Sequence, residues 1–152
     1  MFLSGKEILE RELDLRVASA KGDLNYVKYF MSTYKNSINI NSFSIEGKDE
    51  KQTALHLACE NGHVDVAIVL IEHGANINAK GLGDDTPLHT AIIFGYLDVV
   101  QALLKRGADP NMENDVGDTP IDYAEREGYD DIIACLKGNS FNQSKRPCLM
   151  PK

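Results

Sequence analysis

Between residues 53 and 137 the apolar positions fall into clusters at helical spacing: Val66, Val69 and Leu70; Val99, Val100, Leu103 and Leu104; Ile132, Ile133 and Leu136. Residues three and four apart share one helix face, so each cluster predicts a helix buried along one side. Ahead of each lies a shorter apolar stretch that opens on a threonine: Thr53-Ala54-Leu55-His56-Leu57-Ala58, Thr86-Pro87-Leu88-His89-Thr90-Ala91 and Thr119-Pro120-Ile121-Asp122-Tyr123-Ala124. The openings stand 33 positions apart, and nine residues after each threonine comes Gly62, Gly95 or Gly128. Gly74-Ala75 and Gly107-Ala108 close two of the second helices and lead to Asn78 and Asn111. A strict period of this length means stacked units that share one elongated core.

Each unit reads as helix, tight turn, helix and extended loop. Threonine caps free backbone amides at a helix start, and proline fits the first helical position because its missing donor would have no partner there. Ala58, Ala91 and Ala124 fall mid-helix, where neighbouring helices must approach closely. Gly62, Gly95 and Gly128 fall at the helix end, where a left-handed residue stops the helix. A degenerate first unit aligns through Leu15, Val17-Ala18, Gly22-Asp23-Leu24, Val27 and Phe30-Met31, with Leu13 in the threonine place. Leu13 to Thr53 is 40 positions, which places an insertion of seven residues within 34–52, expected as a flexible loop. The alternation of Ile38, Ile40, Phe43 and Ile45 there leaves an extended arm lying against the repeat body as the alternative. Residues 1–12 predict a further amphipathic turn or short helix sealing the first unit, and 138–152 a polar, disordered tail.

The Thr-Pro-Leu-His-x-Ala motif, the glycine nine residues after its threonine and the Gly-Ala-x-x-Asn close resemble the ankyrin repeat. The resemblance covers about residues 13–137, in units of roughly 13–45, 48–80, 81–113 and 114–137. It implies an all-α ankyrin-repeat solenoid of stacked antiparallel helix pairs with projecting β-turn fingers, a concave face and a role in protein–protein recognition. Ala54 replaces the proline of the second unit, and Asp122 the histidine of the last, as suits a terminal unit with no neighbour to reach. Lys51 and Asp84 stand where a finger glycine is usual, which predicts unusual shapes for the first two fingers, while Gly117 keeps it.

Charge sharpens this picture. Residues 1–52 hold eight acids and eight bases, residues 53–137 fifteen acids and five bases, and residues 138–152 three bases. An acidic body disfavours nucleic acid and anionic membrane; it serves solubility first, and the sharper reading is steering of a partner with a basic surface. No apolar run is long enough to span a bilayer, and the start lacks a signal peptide's pattern. Three widely spaced cysteines imply no disulfide framework, so reduced thiols and a cytoplasmic location are expected, in its own cell or in a host cell. A monomer is expected.

Apparent chemistry dissolves into repeat positions. His56-x-x-Cys59-x-x-x-His63 has metal-like spacing, yet His56 and His89 share one repeat position, where the resemblance implies hydrogen bonds between turns. Asp109-x-Asn111-x-Glu113-x-Asp115 lacks the glycine and the distal glutamate of a calcium loop. No Gly-x-Ser-x-Gly, phosphate loop or His-Glu-x-x-His is present. No catalytic residue, metal or cofactor is therefore expected.

The resemblance carries partner contacts to the fingers and the exposed sides of the first helices. Those positions are Asp49, Glu50, Gln52, Glu60 and Asn61; Leu82, Asp85, Ile93 and Phe94; and Asp115, Val116, Asp118, Arg126 and Glu127. Ile93 and Phe94 stand out because flanking units hold Glu60-Asn61 and Arg126-Glu127 there, so a solvated slot has become apolar at the array centre. The expected function is a non-enzymatic interaction module with an acidic concave face. An adaptor bridging two proteins through the repeats and a terminal segment is the alternative; a metal protein or enzyme ranks third. The wealth of Asn, Lys and Ile suggests an AT-rich genome, and a bacterial effector acting on a host protein is one expectation.

Overall fold

Eight helices follow one another in a computed structural model that describes residues 4–34, 36–43 and 51–141: α1 (Gly5–Lys21), α2 (Leu24–Tyr34), α3 (Ala54–Glu60), α4 (Val64–Glu72), α5 (Pro87–Ile93), α6 (Leu97–Lys105), α7 (Pro120–Glu127) and α8 (Asp130–Phe141). They pair as α1/α2, α3/α4, α5/α6 and α7/α8. The first helices pack in a row, α1 on α3 on α5 on α7, and the second helices form a parallel row, α2 on α4 on α6 on α8. Among the described residues there is no strand, only an isolated bridge between Phe43 and Thr53. The protein is an all-α repeat solenoid.

The core runs along the seam between the two rows. Ala58, Ala91 and Ala124 are wholly buried in the first-helix row. Their small side chains let the helices close up, and Val66, Leu70, Val99, Leu103, Ile132 and Leu136 fill the space beneath. Thr53 and Thr86 cap α3 and α5, accepting from the amides of His56 and His89. Gly62, Gly95 and Gly128 hold φ of 72°, 72° and 73°, the left-handed turn that ends each first helix.

Each unit also covers the turn of the unit before it. The ring of His63 lies over Gly22, that of Tyr96 over Gly62 and that of Tyr129 over Gly95. A Cβ on Gly22 or Gly62 would stand 2.6 Å or 2.9 Å from the ring above, so glycine there is set by contact as well as by backbone. His63 Nε2 also bonds the Ala20 carbonyl at 3.1 Å, tying the second unit to the first.

The first unit differs from its sequence-based outline. Residues 5–12 are no separate element but the first two turns of α1. Ser4 accepts from the Glu7 amide while the Glu7 carboxylate accepts from the Ser4 amide at 2.8 Å, a capping box that starts the helix early. Part of the inserted segment lies against the body. Ile38 and Ile40 pack on the core, the Asn39 amide bonds Glu12 at 2.9 Å, and the Asn76 amide bonds the Asn41 side chain at 2.7 Å. The Asp109 amide bonds Asn78 in the same way at 2.9 Å, so a ladder of asparagines links successive loops.

The fingers keep their turn geometry without their usual residue. Lys51 and Asp84 hold φ of 67° and 58°, in the same left-handed region as Gly117 at 85°. Side chains at these places carry some backbone strain that glycine would avoid. At the far end α8 runs to Phe141, four residues beyond the expected close of the array; residues 142–152 lie outside the described residues. Cys59 is a fully buried free thiol.

Candidate functional site

Histidines fix the fingers, and the fingers shape the site. The Asp85 carbonyl can only accept, so His56 Nε2, 3.1 Å away, carries the proton. Nδ1 is then the acceptor for the Thr53 hydroxyl at 2.8 Å and the Thr53 amide at 3.3 Å. His89 repeats this between Thr86 and the Asp118 carbonyl at 3.1 Å. Burial depresses the His56 pKa to about 4, only partly offset by its bonds to backbone, and lowers that of His89 in the same direction. Each neutral imidazole thus bolts one helix start to the finger of the next unit. Asp122 keeps only the local half of the device, accepting from the Thr119 amide at 2.8 Å.

Held this way, the fingers and the exposed ends of α3 and α5 enclose a groove of about 290 Å³. Eight sequence-selected residues meet there: Gln52, Glu60, Leu82, Asp85, Ile93, Phe94, Asp115 and Val116. Its apolar surface is open to solvent, with Leu82 52%, Ile93 36%, Phe94 48% and Val116 72% exposed. Ile92, one residue earlier on α5, is fully buried, so the helix turns one apolar residue into the core and the next two outward.

The other selected residues lie elsewhere. Asp118 and Arg126 form an ion pair of 2.7 Å just beyond the groove, and the guanidinium rests 4.2 Å from the centre of the Tyr123 ring, which lines it. Asn61 turns back to the Leu57 carbonyl at 2.9 Å and closes α3, a structural role. Glu127 is exposed at the end of α7, and Asp49 and Glu50 lie outside the described residues.

Sequence reasoning passed over Gly83, Thr90, Asn114 and Tyr123, which also line the groove. Asn114 is the organiser. Its amide nitrogen donates to Asp85 Oδ1 at 3.0 Å, and its amide oxygen accepts from the Val116 and Asp118 amides at 3.1 Å and 2.9 Å. One side chain therefore shapes the third finger and orients the acid of the second. Its role depends on bonds that only the stacked fingers create, so the sequence carried no signal for it. Asp85 is half-buried, and desolvation lifts its pKa above the ordinary carboxylate value; the Asn114 bond opposes this, while the nearby Asp115 and Asp118 add to it.

The histidines and thiol of the metal-like segment point apart: His56 to the Asp85 carbonyl, His63 to that of Ala20, and Cys59 into the core, where burial raises its pKa far above normal. Among the described residues no group of three or more potential ligands converges.

A family described as ankyrin repeats (three copies) matches residues 15–114 and 82–146, which together cover most of the chain. The chain belongs to the ankyrin-repeat family. Ankyrin repeat domain-containing protein 7 of Homo sapiens is 39% identical over 70 residues, 45% of this chain and 25% of that protein. Alpha-latroinsectotoxin-Lt1a of Latrodectus tredecimguttatus is 34% identical over 73 residues, 48% of this chain and 5% of the toxin. The integrin-linked protein kinase homolog pat-4 of Caenorhabditis elegans is 35% identical over 66 residues, 43% of this chain and 13% of that protein. The likeness thus spans a quarter or less of each of these relatives. Ankyrin repeats are in general protein–protein interaction modules, and among the described residues no helix is long and apolar enough to cross a membrane.

Proposed function

We propose that the groove binds a protein segment that presents an apolar side chain between basic residues, and that the chain acts by holding and occluding that segment rather than by catalysis. The observation that carries this is the exposure of Ile93 and Phe94 on α5 within a groove whose acids are Glu60, Asp85 and Asp115. An apolar anchor desolvated at the centre, with charges at the rim, is how interfaces concentrate binding energy. The acids add rate and selectivity for a basic partner.

The test pairs the immobilised protein with an Ile93→Asp/Phe94→Asp variant, both offered cell lysates and an arginine-flanked leucine peptide. The wild type is expected to retain a defined protein and the peptide. The variant should lose at least about a hundredfold in affinity, the scale of losing hot-spot anchors, with helicity and melting unchanged. Equal retention by the two would remove the groove from the binding surface.

A further inference from the structure

Resting on the groove as the binding surface, we propose that it selects an extended segment and grips its main chain. In this arrangement the Tyr123 hydroxyl donates to a backbone carbonyl, and the Asp85 carboxylate accepts from a backbone amide. Both side chains line the groove, and one nitrogen holds both. Asn114 Nδ2 carries two hydrogens; it donates to Asp85 Oδ1 at 3.0 Å and to the Tyr123 hydroxyl oxygen at a longer 3.4 Å. A hydroxyl oxygen that accepts from one side turns its own proton elsewhere. Among the described residues neither that proton nor Asp85 Oδ2 meets a further partner. Neighbouring polar groups are already engaged. Asn114 Oδ1 accepts from the Val116 and Asp118 amides, and the Thr90 hydroxyl donates to the Thr86 carbonyl at 3.3 Å. The phenol ring is also held in place, with the Arg126 guanidinium 4.2 Å from its centre and the His89 ring edge-on at 5.9 Å. A side chain fixed in advance loses little freedom on binding.

This pairing of donor and acceptor selects the occupant. A cationic side chain brings donors alone and would set one of them against the Tyr123 proton. A carboxylate would answer the tyrosine but stand against the charges of Asp85 and Asp115. A peptide main chain carries both a donor and an acceptor at each residue. In a helix these groups are spent on one another, so a helical segment has nothing to offer Tyr123 and Asp85. An extended segment leaves them free and can lay an apolar side chain on Ile93 and Phe94 at the same time. Bonds to main chain give affinity that does not depend on sequence, so choice among segments falls to the apolar anchor and the acids around it.

Fluorescence anisotropy with the full chain and the arginine-flanked leucine peptide, which holds no side-chain amide, tests this. Replacing each backbone amide around the leucine by an ester, one at a time, removes a donor and weakens a carbonyl while keeping every side chain. At least one ester should weaken binding by roughly three- to tenfold, the scale of one hydrogen bond. Tyr123→Phe should weaken the parent peptide to the same extent with melting unchanged, and on that variant the ester at the partner carbonyl should cost little more. The same sequence stapled into a helix should bind at least about tenfold more weakly, having lost both bonds. Esters that all bind like the parent, a Tyr123→Phe variant that binds like wild type, or a helix held as tightly as the flexible peptide would each overturn the proposal and leave the groove as the binding surface. A wild type that does not bind the parent peptide, or an Ile93→Asp/Phe94→Asp variant that binds it equally, would overturn the groove itself and main-chain recognition with it.

Discussion

The two ends of this solenoid solve the same problem in opposite ways. Any stacked array has two outer faces with no neighbour, and a face evolved to lie against a neighbour is apolar. The C-terminal end has exchanged that surface for charge: Asp122, Glu125, Arg126 and Glu127 on α7, with Lys137 of α8 bonded to Glu125 at 3.1 Å. The N-terminal end keeps Leu9, Leu13, Val17 and Tyr29 in the open. Its core differs too, since Phe30 stands between Tyr26 and Tyr34 at ring distances of 5.9 Å and 5.0 Å. One end is finished for water, and the other is built around aromatic mass with a dry surface to spare.

The largest expected effect comes from emptying that aromatic core. Phe30 is fully buried, and Phe30→Ala should cost about 3–5 kcal/mol in urea denaturation. Nearest-neighbour coupling should confine the damage, so amide exchange in α7 and α8 should stay near its wild-type rate. Equal loosening at both ends would show the ends to be one cooperative unit.

Acid should separate the regions next. The pKa of His56 in the folded protein, about 4, lies below its value in the unfolded chain, so the unfolded state takes the proton first. The stability its burial supplies is complete above about pH 6.5 and is lost as pH falls toward 4, on the order of 3 kcal/mol in all. Asp122 shifts downward for a different reason, because the Thr119 hydroxyl and amide hold its carboxylate ionised. Its contribution persists until the pH falls below the ordinary carboxylate range. Lowering pH from 7 to 5 should therefore weaken the units bolted by histidine before the last unit. NMR titration of His56, followed beside the exchange of α8 amides, would decide; a ring that protonates near pH 6.5 would contradict the sequence of events.

The smallest effect concerns the cap. Ser4→Ala should cost about 1 kcal/mol or less and fray the first turn of α1, read as faster exchange at Glu7 and Ile8. The C-terminal end should stay unchanged.

Much of this architecture was legible because the repeat writes its boundaries with residues of fixed physical meaning. Thr53, Thr86 and Thr119 start helices, and Gly62, Gly95 and Gly128 end them, so element order and phase could be read directly. The groove was half legible. Ile93 and Phe94 stood out by comparison with equivalent positions, but Asn114 did not, since its role depends on bonds to Asp85 and Asp118 that only the stacked fingers create. Asn61 bonds back to its own helix, a contact that its place in the repeat did not reveal. The continuous α1 was missed although Ser4 and Glu7 spell a capping box, and with it the exposed side of that helix.

The rings laid over the turn glycines give the array a direction. Each ring reaches backward onto the unit already in place, from His63 to Gly22, Tyr96 to Gly62 and Tyr129 to Gly95, and Gly128 is left with nothing described within 4 Å of where a Cβ would stand. Growth of such a chain by duplication is therefore asymmetric. A new unit added after the last would bring its own ring and find an open seat, whereas one inserted before the first would have to supply a turn for which no ring is waiting. The protein is extensible at one end and committed at the other.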